Sequence, residues 1–512
     1  MFIYSYFVLY NSLGQSRDNE LICLNLQFDS SKNWCLKDTT TNLHITDVQI
    51  NHIWTGTGSF SENTKEVCFQ PMLKQLSLKQ FCIGACDCEP SSREKLKSRE
   101  SIAHLYNYHQ NAESIVPSEA HILSYLSNPT NISIENDKYQ IFFDPNTGQL
   151  INSTFFDGST WNEFNLNAQL MMYGTRKGGK GVQKSGAYIF IPDQRDPIPF
   201  KSSRFPNIRV TKGPLESKIE IINQQPLMTE LKFSLVRGGN SINFDTKFYM
   251  AGLYAANQEF LVRFDSKLDN RNVFFTDLNG FQLIKRKFYE KIPIQGNVYP
   301  FNTISFFEDE NVRINFLTAQ PLGVTVSNTG KMDIFLDRRL LQDDERGLGQ
   351  GVIDNKFTQE SFRIYIEKID GRANPAMPKS SFEAHLESLF LLNPVLGIVS
   401  KNSNTALIVS NQLDFLTNEL PCDIHLLNLR RFTKRIKQVG LLLHRFDFQC
   451  QCEKQFSFSL HDIFVQQIID KFKPEVSHTT ISFLSSINSN LSLSSLLDVD
   501  RSHIAAYKLF NR

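Results

Sequence analysis

Apolar and polar residues alternate along much of this chain with a period of two, the pattern of a β-strand with one buried face. In one such run Phe362, Ile364 and Ile366 share a face. Arg363 and Tyr365 occupy the opposite face of the same run. Segments with the 3.6-residue period of a helix are almost absent between these runs. The pattern predicts an all-β protein built from antiparallel sheets packed face to face.

The strand pattern changes along the chain and predicts four regions. Residues 1–88 alternate over short segments and predict a small β-sandwich. Residues 89–128 are charged and rich in serine, which predicts a linker or insertion. Residues 129–375 hold the densest strands and predict one large antiparallel supersandwich. Residues 376–512 predict a C-terminal β-sandwich domain.

Charge and hydropathy exclude two classes of partner. The 512 residues include 54 basic and 53 acidic side chains, so the chain lacks the positive excess that marks nucleic-acid or anionic-membrane binding. The apolar run at the N-terminus is about ten residues long, too short to span a bilayer. It also lacks the basic region and cleavage site of a signal peptide, so no targeting signal is predicted in this chain. We expect a buried strand that ends at Asn11.

The cysteines favour disulfides or free thiols over metal binding. Nine are present, and an odd number leaves at least one unpaired or paired with another chain. The spacing of Cys82, Cys86 and Cys88 does not match the paired C-x2-C knuckles of structural zinc sites. We therefore predict no metal site made wholly from this chain. Sequons for N-glycosylation occur at Asn131, Asn152 and Asn490, as expected in a lumenal protein.

One charged, glycine-rich stretch, residues 337–355 (DRRLLQDDERGLGQGVIDN), suits a loop that brings main-chain groups close to a polar ligand. A solvated acidic turn is the alternative. Its neighbouring acids Asp343, Asp344 and Glu345 could not flank a glycosidic bond, since that chemistry needs two carboxylates on opposite sides of it. We expect these acids to support the loop.

A second glycine-rich stretch, residues 174–181 (GTRKGGKG), approaches a phosphate-binding loop. Gly181 stands where serine or threonine would hold magnesium, and a strand-like run (AYIFIP) follows instead of a helix. Nucleotide binding is therefore rejected. Within that run Tyr188, judged by pattern alone, is expected to be a strand tyrosine with a half-buried ring.

Both loops belong to a wider resemblance. The chain resembles the C-terminal half of Golgi-type family 38 α-mannosidases, the class II enzymes of mannose metabolism that trim N-glycans. The residues that carry it are the DDERGLGQG loop and four further segments: YGTRKGGKGVQKSGAYIF, FFTDLNGFQLIKRKFYEKIPIQGNVYP, LTAQPLGV and LPCDIHLLNLR. The insertion-like GGKGVQK within the first of them leaves the path of that loop open.

The resemblance implies a galactose mutarotase-like supersandwich and a set of substrate-binding residues. In such enzymes a tyrosine hydroxyl contacts mannose, and the matching residue is Tyr188. An arginine main chain also reaches the sugar, which places Arg346 beside it, with Gly347 leaving the arginine carbonyl open. Tyr188 and Arg346 are then expected to lie close in space.

The resemblance assigns no catalytic or metal-binding residue to this chain. In the family the nucleophile, the acid/base aspartate and the zinc ligands lie in an N-terminal α/β domain and the helical bundle after it, and this chain resembles only the region beyond both. We expect that Met1 corresponds to a point inside a longer protein. The implied partners are the α/β domain and the mannose of an N-glycan, and the implied location is the Golgi lumen, where the full-length family enzymes are type II membrane proteins.

A second interpretation stays open. The chain could be a free-standing β protein that binds a carbohydrate or a partner without catalysis. Whether the chain is an enzyme is left undecided at this point.

Overall fold

The computed structural model describes most of the chain. The described residues are 5–27, 34–56, 59–85, 100–106, 123–125, 132–176, 182–202, 205–252, 254–327, 330–353, 356–371, 378–399, 410–432, 438–446, 458–459, 461, 464, 474–484, 486–491, 496–497 and 504–511. Within them no helix is both long and apolar enough to cross a membrane.

The first region is a pair of packed sheets. Its strands are β1 (Ser5–Asn11), β2 (Ile22–Gln27), β3 (Trp34–Asp38), β4 (His44–Ile45), β5 (Val48–Trp54), β6 (Phe60–Phe69) and β7 (Ser77–Ala85). Strands β2, β6 and β5 form one sheet, and β1, β7, β3 and β4 belong to the other. Phe7 and Phe81 stack at 5.4 Å between ring centroids, and Phe69 meets both edge-on. Strand β1 ends at Asn11, and buried side chains of both sheets form one core.

The central region holds most of the strands. They are β8 (Ile102–Tyr106), β9 (Leu123–Tyr125), β10 (Ile132–Glu135), β11 (Tyr139–Phe143), β12 (Leu150–Phe156), β13 (Trp161–Phe164), β14 (Leu166–Gly174), β15 (Ile198–Pro199), β16 (Asn207–Lys212), β17 (Glu216–Asn223), β18 (Met228–Val236), β19 (Ile242–Tyr249), β20 (Gln258–Ser266), β21 (Val273–Leu278), β22 (Gln282–Lys287), β23 (Tyr299–Phe301), β24 (Ile304–Glu308), β25 (Val312–Thr318), β26 (Leu322–Val326), β27 (Lys331–Arg339) and β28 (Phe357–Lys368), with a 3-10 helix at Ile294–Gly296.

These strands form two large sheets that pack face to face. The 10-stranded sheet runs β10-β11-β12-β14-β20-β27-β26-β23, with β13 beside β12 and β15 beside β14. The 11-stranded sheet runs β22-β21-β24-β25-β28-β19-β18-β17-β16-β8-β9. Phe264 of the first sheet meets Phe244 and Phe316 of the second at 5.6 and 4.9 Å. The predicted all-β class of several antiparallel sheets is confirmed.

Two strands lie where the sequence pattern predicts a linker. Strands β8 and β9 fall within residues 89–128, and both extend the 11-stranded sheet. Strand β8 pairs with β16, matching Arg209 to Leu105. Its alternating side chains Ala103 and Leu105 are buried. A five-residue strand between charged segments is too short for periodicity to reveal it.

The last region combines one helix with several strands. They are α1 (Phe382–Leu392), β29 (Leu396–Val399), β30 (Gln412–Asp414), β31 (Ile424–Arg431), β32 (Gln438–Arg445), β33 (Phe458–Ser459), β34 (Pro474–Thr479), β35 (Ser486–Leu491), β36 (Leu496–Leu497) and β37 (Ile504–Asn511). A five-stranded sheet runs β31-β32-β37-β34-β35, and β33 pairs with β36. Strands β29 and β30 leave this region to pair with β1 and β7 of the first one.

A buried network of charges joins these regions. Glu20, from the loop after β1, contacts Arg17 at 3.3 Å and Arg363 of β28 at 3.0 Å. Arg363 also contacts Glu387 of helix α1 at 2.8 Å, and the Ser241 hydroxyl donates to Glu387. Arg17 is only 1% exposed. Because unpaired buried charges are costly, each group fixes the position of the next.

Three histidines pack around one phenylalanine beside helix α1. Rings of His385, His444 and His425 lie 4.0, 4.2 and 5.7 Å from the ring of Phe446. The central region contributes Phe281, in the turn between β21 and β22. The centroid of its ring lies 4.6 Å from that of His444. Burial lowers the pKa of His385 to about 3 and the pKa values of His425 and His444 to about 4. All three are therefore neutral in the folded protein at neutral pH.

The histidine cluster predicts a protein that is less stable in mild acid. Each folded-state pKa lies below the ordinary value of 6.5, so the unfolded chain binds more protons as the pH falls from 6.5 towards 4. Stability present above pH 6.5 should be lost across that window, by at most about 1.4 kcal/mol per pH unit for each histidine.

Denaturant unfolding at a series of pH values would measure this slope. The variant His385→Asn should flatten the slope, since asparagine does not titrate, while His44→Asn, at an exposed position, serves as the control. A slope that is unchanged in His385→Asn would contradict the assignment.

Candidate functional site

Strand order explains why two distant loops meet. Strands β14 and β27 both pair antiparallel with β20, so they run in the same direction. The loops that follow them therefore leave the 10-stranded sheet on the same side, where these strands end. The loop after β14 carries residues 182–193, and the loop after β27 carries residues 340–352. The second loop is closed at its base, where the Leu340 amide donates to the Val352 carbonyl at 2.9 Å.

Asp344 joins the two loops with one carboxylate. The Tyr188 amide donates to its Oδ2 at 2.7 Å, and the Arg346 amide donates to its Oδ1 at 3.3 Å. Asp344 is 6% exposed. A Cβ at Gly186 would lie 2.3 Å from the Cβ of Asp344, so only glycine allows this approach. The predicted supporting role of the acidic cluster has this geometric basis at Asp344.

Further contacts hold the loops together on either side of Asp344. The Gln342 side chain donates to the Ser185 carbonyl at 3.0 Å, and the Arg338 guanidinium donates to the Ala187 carbonyl. At the surface Lys184 contacts the carboxylate of Glu345 at 2.9 Å. The first loop is thus attached to the second by both main-chain and side-chain groups.

The predicted site residues lie together at the surface. Tyr188 is 66% exposed, and Arg346 and Gly347 are exposed on the neighbouring loop. Gly347 has φ +102°, a conformation that side chains rarely adopt, and nothing lies within 4 Å of where its Cβ would be. The expected proximity of Tyr188 and Arg346 is present, because both amides bind the same carboxylate. Their role in binding a sugar stays a prediction.

The prediction of a strand at Tyr188 is wrong. Residues 187 and 188 form a bend, residues 189–191 have no regular structure, and Pro192 forms an isolated bridge with Thr175, just after β14. The physical reason is that the Tyr188 amide is taken by Asp344 and not by a neighbouring strand. Its ring is accordingly exposed instead of half-buried. Of the glycine-rich stretch before it, residues 177–181 lie outside the described residues.

Sequence reasoning missed one acidic residue behind the loops. Glu259 of β20 is 5% exposed and contacts Arg338, which holds the Ala187 carbonyl, at 3.2 Å. Burial raises the pKa of Glu259 to about 7, although Arg338 opposes the shift. The sequence carries no signal for it, since the pairing of Glu259 with Arg338 follows from strand register.

The described residues do not fit a zinc site. The one group of potential ligands that they bring together is Cys23, Glu66 and Cys68, and those two cysteines form a disulfide. Cys35 and Cys422 are also disulfide-bonded, whereas Cys82 is a buried free thiol. Burial raises the pKa of Cys82, so it stays a neutral thiol.

Removing the Asp344 carboxylate should loosen both loops. In Asp344→Ala the amides of Tyr188 and Arg346 lose their acceptor, which costs about 1–3 kcal/mol in a buried setting. Hydrogen exchange of these amides should accelerate, and thermal unfolding should show a modest loss of stability. Glu345→Ala is the matched control, because its exposed ion pair contributes about 0–1 kcal/mol. Equal exchange in both variants would rule out the bridging role.

Comparisons with known proteins agree with this architecture. The C-terminal domain of glycosyl hydrolases family 38 matches residues 134–346. Alpha-mannosidase 2 of Rattus norvegicus is 32% identical over 463 residues, which cover 87% of this chain and 38% of that protein. Alpha-mannosidase 2 of Homo sapiens is 30% identical over 484 residues, covering 91% of this chain and 40% of that protein. The chain thus spans less than half the length of these curated relatives.

A solved structure shares the fold across nearly the whole chain. The crystal structure of an alpha-mannosidase from Enterococcus faecalis aligns with a TM-score of 0.60 at 11% identity, covering 99% of this chain and 56% of that one. The family match, the curated relatives and the fold agree. This chain belongs to glycoside hydrolase family 38, where it corresponds to the C-terminal region of the α-mannosidases.

Proposed function

We propose that this chain is the C-terminal portion of a class II α-mannosidase that removes α-mannosyl residues from N-glycans. The observation that carries the proposal is the pair of loops joined by Asp344. They present an exposed tyrosine side chain and an exposed glycine-flanked main chain at one point of the surface. Such a surface can line a sugar pocket that a second domain completes.

The chemistry of the loops suits a polyhydroxylated ligand. The Tyr188 hydroxyl can both donate to and accept from a sugar hydroxyl, and the Arg346 carbonyl can accept from one. Gly347 adds no side chain that would block the approach. The two residues therefore bind and orient mannose in this proposal, and they move no proton.

The reacting groups belong to another domain in this proposal. Retaining hydrolysis needs a nucleophile and an acid/base about 5 Å apart. Both oxygens of Asp344 accept main-chain hydrogen bonds, which supports a structural role for it. The nucleophile, the acid/base and the zinc ligands would come from an N-terminal α/β domain, and no catalytic step is assigned to residues of this chain.

The compartment proposed for this chain is the Golgi lumen. Disulfides persist in the secretory pathway and are rare in the cytosol. The disulfide between Cys23 and Cys68, with the bonded states of Cys35 and Cys422, supports an oxidising compartment.

A non-catalytic β protein that binds carbohydrate or a protein partner is the second candidate. The exposure of Tyr188 supports this candidate as well as the α-mannosidase proposal, because an open loop surface can bind a glycan without a catalytic domain. Activity measurements separate the two candidates.

The purified chain should not hydrolyse an aryl α-mannoside, with or without added zinc. The reason is that the proposal places the nucleophile, the acid/base and the zinc ligands in another domain, and the one group of potential metal ligands among the described residues includes a disulfide. Turnover that requires zinc and disappears in Asp343→Asn would sink the proposal.

Joining the chain to the catalytic domain of a related α-mannosidase should produce an enzyme that depends on Tyr188. Tyr188→Phe should raise the activation free energy that governs kcat/KM by about 1–3 kcal/mol, because one polar contact in a dry site is lost. The value of kcat/KM should fall roughly 5- to 150-fold. Tyr254→Phe is the control, since Tyr254 is another exposed tyrosine of the same region. An active chimera that is indifferent to Tyr188→Phe would rule out the mannose contact assigned to Tyr188.

A further inference from the structure

A polar cavity of about 620 Å³ lies beside the loop after β14, on the outer face of the 10-stranded sheet. Its floor is formed by Tyr173 of β14, Arg263 of β20, Asp333 of β27 and Thr325 of β26, which are neighbouring strands. One wall is residues 191–196, which continue the loop of Tyr188. The opposite wall is the connection between β22 and β23. The volume lies in the range of about 300–1,000 Å³ that is typical of small-molecule sites.

The floor presents a fixed row of polar groups. Arg263 holds Asp333 through two hydrogen bonds of 2.6 and 2.7 Å. Strand register places Asp333 directly opposite both Arg263 and Thr325. The Tyr173 hydroxyl donates to the Arg195 carbonyl at 3.4 Å and so ties the wall to the floor. Because the ion pair fixes its own members, the geometry of this row does not depend on a ligand.

Two polar atoms at the cavity have no partner among the described residues. They are the Thr325 hydroxyl, on a residue that is 3% exposed, and the side-chain nitrogen of Gln194. A buried polar atom without a partner costs about 1–3 kcal/mol, and most such atoms in proteins are satisfied. A ligand with hydroxyl groups would supply both an acceptor for Gln194 and a partner for Thr325.

The charges of the lining indicate a neutral ligand. Five arginine or lysine side chains and four acidic side chains line the cavity. That near balance favours neither a phosphorylated ligand nor a cation. The lining also includes the apolar faces of Phe288 and Ile292. Apolar faces combined with a few fixed donors and acceptors suit a pyranose ring.

We propose that this cavity binds a pyranose unit of a neutral oligosaccharide. Asp333 and Thr325 contact its hydroxyls from the floor, and Gln194 donates to it from the wall. The site uses neither Tyr188 nor Arg346 and so goes beyond the proposed function. Only the choice of the sugars to be tested rests on that function. Ile191 and Pro192 separate the cavity from the tip of the Tyr188 loop.

Titration of the chain with methyl α-D-mannopyranoside and with N-acetylglucosamine tests the proposal. Binding followed by calorimetry or ligand-observed NMR should saturate for at least one sugar at concentrations up to about 10 mM, the range of a single weak subsite. Inorganic phosphate should not compete. Lack of saturation by both sugars, or competition by phosphate, would overturn it.

Variants locate the bound sugar. Thr325→Val keeps the shape of the side chain and removes the hydroxyl, and it should weaken binding at least fivefold. Thr211→Val is the matched control, because Thr211 is also 3% exposed and its hydroxyl likewise has no partner among the described residues, but it lies on the other sheet. Gln194→Met should weaken binding as well, which keeps the test valid if Thr325→Val fails to fold.

Tyr188→Phe distinguishes this cavity from the proposed mannose contact. Binding that persists in Tyr188→Phe and falls in Thr325→Val places the sugar in the cavity, whatever the activity of the chain. The reverse pattern places the sugar at the loops and overturns the cavity assignment.

Discussion

The buried network of Arg17, Glu20, Arg363 and Glu387 is the interaction on which the arrangement of regions depends. Each charge in it is opposed by another, and removing one would leave an uncompensated charge in the interior. Arg17 also lies over the ring of Phe390, 4.9 Å from its centroid, so the network contacts helix α1 at two residues, Glu387 and Phe390. Burial lowers the pKa of Arg17 to about 10, which leaves it charged at neutral pH.

From that junction the structure continues in layers. Arg363 projects outward from β28, the middle of the 11-stranded sheet, while Phe362 and Ile364 of the same strand face the core. The 10-stranded sheet lies across the core. Its outer face carries the cavity, and the two loops follow the ends of its strands β14 and β27. The position of the candidate site is thus set by strand order, and the loops themselves supply only the final contacts.

Local patterns in the sequence predicted the layers well. The alternation of side chains at 362–366 shows which of them enter the core. A few residues are enough for this, because successive side chains of a strand point to opposite faces. The same reasoning failed at Tyr188, where a side chain 156 positions away takes the main-chain amide. It also missed helix α1, although Ser381 caps it by accepting from the Ala384 amide. Three of the five buried residues of that helix are polar, namely His385, Glu387 and Ser388, so apolar residues do not mark its buried face with a helical period.

Strand β29 has a consequence for how this protein is made. It pairs with β1 in one ladder, so Phe7 lies opposite Val399 although most of the described strands fall between them in sequence. During synthesis β1 can join β7 early, but its other edge stays open until the ribosome has added the whole supersandwich. Open strand edges invite pairing with other chains. The small sandwich is therefore completed only after the supersandwich has been made, and the nascent protein has to keep that edge apart from other chains during that interval.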